Sequence, residues 1–310
     1  MNIPNSEQLY LAVSRKKPLD ATFGQIDHDR FFMPEQLTQL YHTPAYTLLS
    51  DKQKLRYNQL FAMRSIEQLM TLEAKFIEMV LRRTKKSHSV KHDQKLLYCM
   101  QEMASEEQQH YRMFYEINRL AEPRIYQDRE MYFARFSTFE NMALSSLVYI
   151  PGINLFLLWI LLILEEFSTY VSTAMIKESR SSADRYDLNF VKVHHEHLKD
   201  ETRHVKICAT LISSLINEST HPVIHLNTFL LRKFMRDYMT PKRGGIRVIE
   251  HLCSEFPDLQ GKKKALINSI KAQKQDNVIF NAIQDPECMP CSHTLFTQYP
   301  DFRFYDATFV

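Results

Sequence analysis

The sequence of 310 residues is 45% apolar, with 39 basic and 36 acidic residues and a net charge of +3. That is core enough for a folded protein and too little field to argue for a nucleic-acid or membrane-surface partner. Only 5 glycines are present (Gly24, Gly152, Gly244, Gly245, Gly261), so neither the dinucleotide motif G-x-G-x-x-G nor the phosphate loop G-x-x-x-x-G-K-S/T can be written, and turn-rich sheet folds are disfavoured.

Taken in chain order, residues 1–45 lack sustained periodicity and read as an irregular lead-in. Ser50-Asp51-Lys52-Gln53 has the form of a capping box, and no Gly or Pro interrupts the helical pattern from there to Arg83. A polar connection over 84–93 ends at Asp93, which caps a second helix to about Ala121, stopped by Glu122-Pro123. A third helix is expected over 127–149, a fourth over 153–178 after Pro151, and a fifth over 188–217 after the loop 179–187. His221-Pro222 starts another that ends near Thr240-Pro241. Two more fill 245–280, and the proline-containing tail from 284 reads as irregular but packed through its aromatics. No glycine falls inside the helices 51–83, 94–121, 153–178 or 188–217. The expected fold is therefore all-α, a single domain over 1–310 with its bundle core at about 46–240.

The apolar run from Leu155 to Leu164 is too short to span a bilayer, which takes about 20 residues, and Glu165-Glu166 follow it directly. It reads as the buried centre of a bundle, with no membrane span. The 5 cysteines make no disulfide framework, Cys288 and Cys291 read as free thiols, and the start MNIPNSEQLY has no signal-peptide character. A cytoplasmic location is the expectation.

Chemistry concentrates on two helices. On the fifth, His197, Glu201 and His204 fall within about 60° of one another at about 100° per residue, so two imidazoles and a carboxylate share one face. On the second, Glu107 and His110 have the same i, i+3 spacing. His194 and His195 are read as solvated and off that face. With 21 Glu and 13 His in 310 residues, chance supplies about one E-x-x-H; the chain has three. Glu218-Ser219-Thr220-His221 sits at a helix break and is read as accidental. The other two lie mid-helix, and each follows a helix with candidate glutamates: Glu67, Glu73 or Glu78 before Glu107, and Glu165 or Glu166 before Glu201. Two such hairpins facing each other make the di-iron carboxylate arrangement of ferritin-like bundles, and carboxylate with imidazole suits iron, though a manganese–iron pair would accept the same donors. Glu106 and Asp200 precede the motif glutamates and are placed to take the free ring N–H of the opposite motif's histidine.

From about Thr43 to Cys208 the chain resembles the p-aminobenzoate N-oxygenase family of di-iron oxygenases. Thr43-Pro44-Ala45-Tyr46, Ile66-Glu67-Gln68-Leu69, Glu106-Glu107-Gln108-Gln109-His110 and His197-Leu198-Lys199-Asp200-Glu201-Thr202-Arg203-His204 carry the likeness. The resemblance implies a ferritin-like bundle with flanking helices, typically a homodimer. It selects Glu67 over Glu73 and Glu165 over Glu166, and adds His197 as a third histidine. One iron would then be held by Glu67, Glu107 and His110, the other by Glu165, His197, Glu201 and His204. The implied activity is O₂-dependent oxidation of a small organic substrate, N-oxygenation of an amine first among the possibilities. Hydroxylation, desaturation or C–C cleavage of a lipid or amino acid is the alternative, and iron binding without catalysis is the third reading. With no flavin or iron–sulfur motif of its own, the chain would take electrons from an external reductase or ferredoxin.

Overall fold

The computed structural model of the chain describes residues 3–16, 18–135, 142, 146–238, 243–273 and 277–304. Its helices are α1 (Ser6–Val13), α2 (Asp51–Thr71), which runs through a π-helical turn (Leu72–Ile77) into α3 (Glu78–Thr84), α4 (His88–Lys91), α5 (Gln94–Ala121), α6 (Pro123–Tyr126), α7 (Asn154–Ser181) and α8 (Leu188–Glu218). There follow α9 (His221–Tyr238), α10 (Arg243–Glu255), α11 (Lys263–Ala272), α12 (Asn277–Gln284) and α13 (Pro290–Gln298). Among the described residues the β pairing amounts to an isolated bridge between Phe31 and Tyr186, and the fold is all-α.

Local chemistry sets the ends of the long helices. Ser50 and Gln53 form a capping box at α2, the Ser50 N–H donating to Gln53 Oε1 at 2.9 Å. Asp93 accepts from the N–H groups of Lys95 and Leu96 to start α5, and Asp187 does the same for Asn189 and Phe190 at α8. Gly152, at φ +74°, makes the turn into α7 that a residue with a Cβ would resist.

α2–α3 packs on α5, α5 on α8, α8 on α7, and α7 returns to α3. The result is a closed four-helix ring, the ferritin-like helical bundle, flanked by the remaining helices. The bundle's interior is two apolar cores rather than one. Along α2 and the π-helical turn that continues it, Met70 belongs to one core and Leu72 to the other; Met103 and Met113 divide in the same way on α5, Ile163 and Met175 on α7, Val193 and Val205 on α8. Every bundle helix changes core at one level; Glu107, His110, Glu165, His197, Glu201 and His204 lie between those pairs, and Glu73 directly follows Leu72.

Three expectations about elements are corrected. The lead-in contains α1, closed by a capping box between Asn5 and Gln8 and packed on α5 and α8. Residues 127–135 form no helix, because the N–H groups of Tyr132 and Ala134 point to the Glu67 carboxylate instead of to their own chain. Positions 136–141 and 143–145 of that expected helix lie outside the described residues. The tail is not irregular throughout, since α13 forms behind Pro290.

α7 is long and apolar enough to cross a membrane, and 72% of its apolar window is buried within the protein. Trp159, in its second turn, stacks on Phe296 and Phe302, with centroids 4.8 and 5.2 Å away. The tail aromatics thus cover the helix that a membrane would otherwise have to cover.

Candidate metal centre

Where the two cores meet, two groups of donors converge. Glu107, His110, Glu201 and His204 each offer an atom within 4.8 Å of the others, and so do Glu73, His110 and His197; all are buried. Glu165 adjoins the first group, its Oε2 lying 3.9 Å from His204 Nδ1. His197 Nε2 is 3.3 Å from Glu73 Oε1 and 3.1 Å from Glu201 Oε1.

The inward and outward atoms of these residues differ in kind. Facing outward, His204 Nε2 meets Glu106 Oε2 at 2.8 Å and His110 Nε2 meets Asp200 Oδ2 at 3.2 Å. These are the crossed pairings that the sequence spacing leads one to expect, each histidine backed by the carboxylate of the opposite motif. Arg203 joins the two carboxylates, 2.9 Å from Glu106 and 2.5 Å from Asp200, and Lys16 lies 3.3 Å from Glu106. Facing inward, Glu73 Oε2, both oxygens of Glu107, Glu165 Oε1, Glu201 Oε1, His110 Nδ1, His197 Nε2 and His204 Nδ1 have no hydrogen-bond partner. Some approach one another closely, as His204 Nδ1 and Glu107 Oε1 do at 2.7 Å, but without the alignment of a hydrogen bond. Unsatisfied buried polar atoms are costly and rare, and here they converge on one place. Oxygen and imidazole nitrogen atoms so arranged fit a pair of divalent metal ions.

Protonation follows the same geometry. Burial, together with the charges of Glu107 and Glu201, pushes the Glu73 and Glu165 carboxyls well above their ordinary range. Burial opposes charge on His110, but the hydrogen bond to Asp200 and the negative charge of nearby Glu107 outweigh it and carry the group up to about 9. Burial likewise opposes charge on His204, and Glu107 and Glu106 raise it well above the usual imidazole value. Without a cation, the cluster would hold protons in its place.

Glu67, preferred on the sequence, does not join this group. Its carboxylate accepts from Tyr126 Oη at 2.6 Å, Tyr132 N at 2.9 Å and Ala134 N at 2.6 Å, and so pins the segment after α6 to α2. Glu73, on the π-helical turn, is the acid of that helix that faces the other donors. Glu166 resembles Glu67 in its duty: it accepts from the N–H groups of Cys291 and Ser292 at 2.5 and 2.8 Å, at the start of α13. His197 groups with Glu73 and His110 rather than only with Glu165, Glu201 and His204.

His195 is exposed as expected, but His194 is buried beside Ser172. The seven-residue step from His194 to Glu201 brings it back to nearly the same face of α8, and that periodicity is the signal that places it inward. Ser172 stands in the same relation to Glu165 on α7.

A family model described as P-aminobenzoate N-oxygenase AurF matches residues 16–269. No curated protein matches the chain.

Proposed function

From membership of the p-aminobenzoate N-oxygenase family, to which this chain belongs, we propose that it is a di-iron oxygenase that oxidises a small organic substrate with O₂ at an amine nitrogen. Glu73, Glu107, His110, Glu165, His197, Glu201 and His204 would hold the metal pair, with Glu67 and Glu166 in structural roles. The observation that carries the reading is the convergence of unpartnered oxygen and nitrogen atoms at the level where the two cores meet. When bound, the metal pair supplies redox chemistry toward O₂ that no side chain offers.

What the chain itself contributes is readable. Four buried carboxylates match the charge of two divalent cations, so the filled site is neutral inside an apolar bundle. Glu106 and Asp200 fix the ring orientation of His204 and His110, and against burial those histidines, with Arg203, hold the two carboxyls below their ordinary range. The two cores exclude water on either side of the donor layer. The alternative of a lipid chain lying along α7 loses its main support, since Trp159 and its neighbours are used in packing. An external reductase or ferredoxin remains the electron source in this reading, and a homodimer the working assembly.

The test is anaerobic reconstitution with Fe(II), metal analysis, and then exposure to ¹⁸O₂ with arylamine, fatty-acid and amino-acid panels read by mass spectrometry. Two irons per chain and label on the nitrogen of an arylamine support the proposal. Uptake of many irons per chain, or label appearing in no organic product, would overturn it.

A further inference from the structure

We propose that Ser172 and His194 are positioning residues for the metal centre, holding His197 in the one tautomer that leaves Nε2 free for a metal ion. The inference rests on the di-metal reading above. Ser172 Oγ lies 3.3 Å from His197 Nδ1 and 3.1 Å from His194 Nδ1. All three side chains are buried where α7 packs on α8.

The donor and acceptor count leaves one arrangement. A neutral histidine that offers Nε2 to a metal carries its proton on Nδ1. That proton is donated to Ser172 Oγ. The Ser172 oxygen could accept from both rings, but its own hydrogen would then have no acceptor among the described residues; it turns to the other ring, which makes His194 Nδ1 the bare acceptor and puts the His194 proton on Nε2. Protons therefore run from His197 to Ser172 to His194. The reverse order would put the His197 proton on Nε2, the atom that faces Glu73 and Glu201. Burial, and the neighbouring His197, push His194 down to about 3. It stays neutral over the working range and keeps its acceptor.

This anchor differs in charge from the other two. His110 and His204 back onto carboxylates joined by Arg203, which strengthens each ring as a donor. His197 backs onto a neutral hydroxyl and gains no such push. An ion held by Glu73, His110 and His197 would therefore be the more weakly bound of the two, and its retention would depend on Ser172.

The experiment titrates metal-free wild type, Ser172→Ala, Ser172→Thr and Ser172→Val with Co(II), following ligand-field absorption and heat. Thr and Val add the same bulk and differ in the hydroxyl. Two ions of unequal affinity are expected in wild type. In the Ala and Val variants the weaker site should lose about 10–100-fold while the tighter site is unchanged, and Thr should restore it. Because these variants could fold poorly, the second measurement uses wild type alone. Nitrogen NMR of histidine-labelled, Zn(II)-loaded protein should show His194 neutral with its proton on Nε2, and His197 with a protected Nδ1–H. Equal loss at both sites, no loss in Ala and Val, or a proton on His194 Nδ1 would each overturn the inference while leaving the di-metal reading intact. Wild type taking up fewer than two ions would remove that reading, and this inference with it.

Discussion

Metal binding should expel protons, and their number can be worked from the cluster. The metal-free site would hold protons on Glu73 and Glu165, whose carboxyls burial and neighbouring acids raise well above their ordinary range, and on His110 and His204, raised against burial by their carboxylate partners. Four protons on four carboxylates and their imidazoles make the set neutral, and two divalent cations replace the same four charges. Loading both ions at pH 7 should therefore release up to about four protons, and the product of the two association constants should rise with pH, by up to about 10⁴-fold per pH unit where all four groups hold their protons. The release should fade above about 9, where His110 gives up its proton unaided. The assay adds Fe(II) anaerobically to metal-free protein in weak buffer with an indicator dye. Calorimetry in buffers of different ionisation enthalpy checks the count. Release of one proton or none at pH 7 would refute the reasoning, because the carboxyls would then be ionised without a cation.

The same groups predict that the metal-free protein loses stability with rising pH. Their folded pKa values lie above the unfolded ones, so the folded state binds more protons and stability falls from the ordinary carboxyl value of 4.5 up to about 9, as thermal melts after chelation should show. Glu67→Gln should cost about 2–4 kcal/mol in denaturant titration, since an amide cannot accept from three donors at once, while metal content stays at two ions. Glu73→Gln should do the converse, keeping the melting temperature of the metal-free chain and losing an ion by elemental analysis. Trp159→Ala should destabilise by about 3–5 kcal/mol through the cavity left against Phe296 and Phe302.

Much of the centre is legible in the sequence because helices are regular. The i, i+3 spacing of Glu107 with His110 and of Glu201 with His204 survives folding, and so does the one-residue offset that gives Glu106 and Asp200 their crossed partners. Legibility ends where regularity does. The π-helical turn Leu72–Ile77 adds residues without the usual advance, so an α-helical projection from the start of α2 misplaces everything beyond Thr71. Glu73 lies on that turn. A faint signal was present: Glu73 precedes Glu107 by 34 residues, close to the 36 between Glu165 and Glu201, whereas Glu67 precedes it by 40. His194 shows the opposite case, a position that strict α-helical periodicity alone would have placed correctly.

Glu67 with Glu73, and Glu165 with Glu166, pose one problem twice. All four acids are buried, and each pair sits on one helix running beside the donor layer. Burial and acidity cannot separate a metal ligand from an anchor, because both demand a low-dielectric site with compensation. The nature of the compensation separates them. Glu67 and Glu166 satisfy their oxygens on backbone N–H groups of segments distant in sequence, which fixes those segments against the bundle. Glu73 and Glu165 each keep an oxygen with no hydrogen-bond partner, and their other oxygens lie 3.3 Å from His197 Nε2 and 3.9 Å from His204 Nδ1. A backbone amide can compensate a carboxylate only where a chain segment reaches it, and among the described residues no backbone N–H outside their own helices donates to Glu73, Glu107, Glu165 or Glu201. Cations or protons must therefore do it there, and this is why the bundle's stability, its proton balance and its metal content should move together.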